Sequence, residues 1–232
     1  MKLTLKDKKM DTNFNYRGYY IVVNRKANKN IYFRMRRDGT ISLNCPYNTK
    51  EKHLLLYLDE FINKLENKNF NNDYIKYEII DGGYIYILDH KYTLNYIKSE
   101  KEYVKIEDDT LYLYLKEEDN ASKVIDKYLK QEATKLFTPL FEEIVNEFNH
   151  IDFIPTLKIR KMTSKFGVCF YKKEAITLST ILMHYDYDCI RYVIVHELAH
   201  FVHPNHSKQF YYLVEKYVPN YKEIMKRLRG YQ

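Results

Sequence analysis

The sequence predicts an α+β chain, β-rich over residues 1–120 and mainly helical over 121–232, with the change of character spread over 120–150. Three observations carry this. Short runs of Tyr, Ile, Val and Leu separated by turn residues fill the stretch from about Tyr16 to Leu115. Apolar residues recur at helical spacing from Ala121 to Asn149 and again beyond Asp188. Four of the eight histidines lie between positions 196 and 206, in the segment YVIVHELAHFVHPNHSKQF, on one of those helical stretches.

In order, Ile31–Met35 and Ile41–Cys45 read as strands flanking Asp38-Gly39, a pair that tolerates the positive φ of a tight hairpin turn. Next comes a helix: Asn48 can cap it, with Glu51 three residues on, and Leu54, Leu58, Phe61, Ile62 and Leu65 share one face. Tyr77–Ile80, Tyr84–Leu88, Tyr92–Ile97 and Leu111–Leu115 are further strands, the first two separated by Asp81-Gly82-Gly83. Within 121–149, Pro139 is expected to kink the helix or to start a new one, since proline lacks an N–H but suits a first turn. Leu157–Met162 and Ala175–Thr180 are expected as strands, and Asp188–Val202 as a buried helix. Ser207–Tyr217 and Tyr221–Leu228 are terminal helices, with Ser207 capping the first of them.

Composition bounds the function. With 232 residues, 45% hydrophobic and 30% charged, the chain can bury one large core or two small ones and is not disordered. The net charge of +7 is spread without a block of like charges. Such a surface favours solubility and attracts nucleic acid only unspecifically. Cys45, Cys169 and Cys189 are odd in number and form no CxxC pair, which argues against a disulfide framework or a cysteine zinc site and for a reducing compartment. The N-terminus has no apolar h-region and no run of 18 apolar residues occurs, so the expectation is a cytoplasmic protein without a membrane partner.

The histidine cluster carries the chemistry. On a helix, His196 and His200 are four residues and thus about 40° apart, so both imidazoles can converge on one ion. Glu197 points about 100° away from His196, beside the ion without ligating it, where a carboxylate can take a proton from water. A catalytic Zn²⁺ needs a third protein ligand and one open position, and His206 supplies the third if the helix stops before Pro204 and the chain folds back. The ligand spacing is HExxHxxxxxH, with His203 where the metzincin pattern has glycine. In a chain of this composition HExxH arises by accident about two times in a hundred, and the third His reduces that to about one in a thousand. A fourth ligand at His203 would close the site, so His203 reads as a surface or supporting residue. Cys169, two residues after Gly167, reads as a small packed residue rather than a nucleophile.

At these residues the chain resembles the YgjP-like metallopeptidases, relatives of the WLM and SprT-like zinc proteases. The likeness rests on Arg160-Lys161-Met162, Phe166-Gly167-Val168-Cys169, Ile176-Thr177-Leu178-Ser179, Tyr192 through His200, and Asn205-His206-Ser207 leading to Phe210. The family usually has Trp, Ser and Asn where this chain has Phe166, Val168 and Ser179. The resemblance implies a small zincin-like catalytic domain over 121–232 in which a small sheet lies against the metal helix. Within it His196, His200 and His206 hold Zn²⁺ and Glu197 is the base. The resemblance supplies no particular substrate; a metallopeptidase reading expects a peptide or protein, which could add as a strand to Ala175–Thr180 if that strand lies at a sheet edge. Two alternatives stay open from sequence: a zinc-dependent nucleotide phosphoanhydride hydrolase, against which the lack of a Gly-rich phosphate loop argues, and a nucleic-acid-associated SprT- or WLM-like protease or adaptor.

Overall fold

The computed structural model describes residues 13–36, 40–67, 76–162 and 165–229. They form two compact units that divide between Ile75 and Lys76.

The first unit is a four-stranded sheet and one helix: β1 (Phe14–Tyr16), β2 (Tyr19–Lys26), β3 (Tyr32–Met35), β4 (Ile41–Pro46) and α1 (Glu51–Asn67). The strand order is β1-β2-β4-β3, with β2 parallel to β4. Ile21, Ile41, Leu43 and Cys45 bury one sheet face against Leu54, Leu58 and Ile62, the helix face anticipated from spacing. The helix begins at Glu51, later than a cap at Asn48 would set it. Thr49 instead turns the chain, its N–H and hydroxyl both donating to the Pro46 carbonyl at 3.2 and 2.9 Å. The expected Asp38-Gly39 turn lies outside the described residues.

The second unit opens with a five-stranded sheet: β5 (Tyr77–Glu78), β6 (Tyr84–Ile87), β7 (His90–Lys98), β8 (Tyr103–Glu107) and β9 (Thr110–Leu115), in the order β5-β6-β7-β9-β8. Its inward residues Ile85, Leu94, Leu111 and Leu113 share one core with Ile125, Leu129, Phe137 and Ile144 of α2 (Ala121–Glu147) and with Ile190 and Ile194 of α3 (Tyr187–Val202). The division between the two units falls at 75/76. The change from strand to helix at 120 is a change of secondary structure within one core, not the edge of one. Pro139 sits inside α2, which is continuous through it. The proline is on the exposed side, where the Lys135 carbonyl it leaves without an N–H partner costs least.

A second sheet follows α2. Its strands β10 (Thr156–Arg160), β11 (Gly167–Phe170) and β12 (Ala175–Ser179) run in the order β10-β12-β11, with β12 parallel to β10 and antiparallel to β11. Every residue of β12 is buried. The strand Ala175–Thr180 is thus central, not an edge, and cannot accept an added strand; β11 is the edge on the side of α3. Ser179, at the end of β12, gives its hydroxyl to the Met162 carbonyl and accepts from the Met162 N–H, both at 3.1 Å, tying the end of β10 to the turn that follows. The α4 (Lys208–Tyr217) and α5 (Tyr221–Arg229) helices close the unit, and Arg227 reaches back to pair with Asp186, the N-cap of α3. Among the described residues no helix is long and apolar enough to cross a membrane.

Candidate metal centre

Helix α3 starts because Asp186 accepts the free N–H of Cys189 at 2.9 Å, and it is buried because Val193, Ile194, Val195 and Leu198 are apolar on several faces. It ends at Val202, before Pro204, as the proline requires. The chain then turns, and Ser207 caps α4 by accepting the Phe210 N–H at 3.3 Å. That turn brings His206 back over α3.

His196, His200 and His206 each present a ring nitrogen, and the three nitrogens lie within 4.8 Å of one another. The Nε2 atoms of His196 and His206 are 3.1 Å apart. Two imidazole nitrogens at about 2.0–2.1 Å from a tetrahedral ion are separated by about 3.3 Å, close to the spacing of His196 and His206, and the three together form a group that could hold one metal ion. Beneath the three rings lies Phe210, fully buried, its centroid 4.9, 4.7 and 4.8 Å from those of His196, His200 and His206.

The far ring nitrogens are held as well. Nδ1 of His200 lies 3.3 Å from the His203 carbonyl, to which its N–H donates, leaving Nε2 with a free lone pair. Burial, followed by the neighbouring His206, keeps His200 below its ordinary range and therefore neutral, the form that ligates. The Tyr192 hydroxyl lies 3.4 Å from Nδ1 of His196. His203 takes part through its backbone only, and its ring is not in the converging group.

Glu197 is 7% exposed and faces β11. Burial pushes its carboxyl up to about 7, against the Cys169 N–H, which donates to it, and Lys165, both of which favour the carboxylate. A cation at the histidines would pull it further toward the carboxylate. Cys169 itself is no nucleophile: burial, with the Glu197 charge, pushes its thiol up to about 12. Phe166 meets Tyr185 edge to face at 5.3 Å, an aromatic packing role. Tyr211 is stacked on His206 and Tyr212 is 76% exposed. Nothing in the spacing singles out Phe210 or Gly167; their only signal is membership of two of the short segments on which the resemblance rests.

The fold and the triad define an α+β protein with three imidazoles arranged for one cation. The chain belongs to the YgjP-like family: residues 29–231 match its metallopeptidase domain. It is accordingly an enzyme of the peptidase class, a hydrolase. Among solved structures it is similar to the metallopeptidase zymogen of Pyrococcus abyssi abylysin, at 26% identity and TM-score 0.37 over 40% of this chain and 91% of that one. It is similar also to the metallopeptidase zymogen of Methanocaldococcus jannaschii jannalysin, at 23% identity and TM-score 0.37 over 40% of this chain and 93% of that one. No curated protein matches it.

Proposed function

We propose that the chain is a zinc-dependent peptidase in which His196, His200 and His206 hold the ion and Glu197 is the general base. The observation that carries this is the convergence of three ring nitrogens, within 4.8 Å of one another, two of them from the helix that also carries a buried glutamate that is not one of them. Among the described residues no fourth side chain joins the three imidazoles, and three are the donor set of an open zinc site, which suits catalysis rather than structure. When bound, zinc supplies Lewis acidity that polarises water and a scissile carbonyl.

The chain's own residues do the rest. Glu197 takes a proton from the attacking water and passes it to the leaving amine. The Cys169 amide, which donates to its carboxylate, anchors it. An extended peptide or protein segment adds to the edge strand β11, main chain to main chain, which brings a peptide bond alongside α3. In this reading residues 121–232 are the catalytic, zincin-like part, with β10–β12 as the small sheet against the metal helix. The test is metal analysis of the purified protein followed by hydrolysis of a library of internally quenched peptides, with Glu197→Gln alongside. Zinc at about one per chain and cleavage lost in the variant are expected. A protein without zinc, or equal cleavage by both, would sink the proposal.

A further inference from the structure

The surroundings of Glu197 single out a residue whose contribution is the lack of a side chain. Gly167 opens β11 and faces Glu197 across the gap to α3. A Cβ placed on it would lie 2.7 Å from Cγ, 2.7 Å from Oε1 and 2.9 Å from Cδ of Glu197, closer than carbon contacts in proteins ever come. Its backbone does not call for glycine: the positive-φ glycines among the described residues are Gly18 and Gly82. Alanine could adopt the backbone of Gly167, and the three atoms its Cβ would meet first all belong to the Glu197 side chain. Two residues further along the same strand, the Cys169 N–H donates to that carboxylate.

We propose that Gly167 is a positioning residue for Glu197: the missing Cβ leaves the groove in which the carboxylate lies, against the Cys169 amide and beside the histidine triad. This rests on Glu197 as the base. The atoms in the way are the end of one flexible side chain, so a methyl group at 167 moves the carboxylate rather than the strand. A displacement of about 1 Å is enough to cost a proton transfer one to two orders of magnitude.

The experiment is a cycle on the zinc-loaded full chain, read with an internally quenched peptide, by zinc content and by crystallography. Gly167→Ala is expected to keep zinc and fold and to lower kcat about 10- to 100-fold while KM stays within about twofold. Glu197→Asp, one methylene shorter, lowers kcat in the Gly167 background. Added to Gly167→Ala, it costs less than about threefold more, because the shorter side chain clears the new methyl. Losses that simply multiply, or wild-type kcat in Gly167→Ala, overturn the proposal.

The crystal structure of Gly167→Ala should have the Glu197 carboxylate displaced, and an unmoved carboxylate overturns the proposal whatever the activity. The role of Glu197 as base is judged separately: wild-type turnover in Glu197→Gln removes that role while the displacement is still read from the crystal. If Gly167→Ala does not fold, the double variant with Glu197→Ala must fold and melt like Glu197→Ala alone. Failure of the double variant would mean that the strand itself needs glycine, and would overturn the proposal.

Discussion

His196 and His206, ten residues apart, face each other Nε2 to Nε2 at 3.1 Å across the turn that ends the metal helix. Neither nitrogen can satisfy the other unless one carries a proton, whereas one cation satisfies both. Alanine at His206 should therefore remove most of the zinc, and His203→Ala, which keeps the backbone carbonyl that His200 uses, should leave it at about one per chain. Metal analysis after gel filtration decides this. Full zinc in His206→Ala would eliminate the third ligand.

Glu197→Gln preserves shape and removes the proton acceptor. Zinc content and thermal stability should stay near wild type, while turnover falls by about 10² to 10⁴-fold. Single-turnover cleavage at matched zinc occupancy is the measurement, and comparable rates would rule out the base.

Phe210 touches all three imidazoles from below, so its loss should reach the metal although it cannot ligate one. Phe210→Ala opens a cavity in a fully buried position and should cost about 3 to 5 kcal/mol of stability. Phe210→Leu keeps much of the volume, yet should still weaken zinc binding about tenfold in competition with a chelator, because the rings lose a flat support. Unchanged zinc affinity in Phe210→Leu would reduce Phe210 to core packing.

His184 gives a pH signature away from the site. It is fully buried, its Nδ1 N–H donates to the Tyr86 carbonyl at 2.7 Å, and burial, reinforced by Lys76 and Lys161, lowers its pKa from 6.5 to about 4. The unfolded chain binds the proton first, so the stability contributed by neutral His184 is present above about pH 6.5 and is lost as pH falls toward 4. Between pH 7.5 and 4.5 the loss is roughly 2 to 3 kcal/mol. Urea unfolding at the two pH values should show it, and His184→Asn, less stable at pH 7.5, should show a flatter dependence. Identical slopes would mean that His184 takes up its proton without unfolding the chain.

What could be read from sequence was what depends on local pattern. The α3 helix, its end before Pro204, the cap at Ser207 and the spacing of His196, His200 and His206 all follow from rules that act within a turn or two of chain. The sheet Tyr77–Leu115 had four of its five strands legible, all but Tyr103–Glu107, but not its allegiance, because Leu111 and Leu113 would bury equally well against any apolar helix; that the helix is α2 is a long-range fact. That no new helix starts at Pro139 could not be read locally, because the cost of proline in a helix depends on which face carries the orphaned carbonyl, and that face is not known before the core is. The edge position of β11 and the contact between Gly167 and Glu197, thirty residues apart in sequence, belong to strand order, which no spacing reveals.

All three sheets share one construction: β2-β4-β3, β7-β9-β8 and β10-β12-β11 each place the last strand of three between the two that precede it. On the ribosome, then, each sheet waits for its final strand. Thr156–Arg160 and Gly167–Phe170 emerge first and have nothing to pair with until Ala175–Ser179 arrives, and the metal helix begins only eight residues after that strand ends. Nascent chain stalled before Ala175 would carry two orphan strands and no histidine triad; a few dozen residues later, sheet, helix and triad become available almost together. The order of synthesis thus keeps the hydrolytic centre from existing on a half-built scaffold.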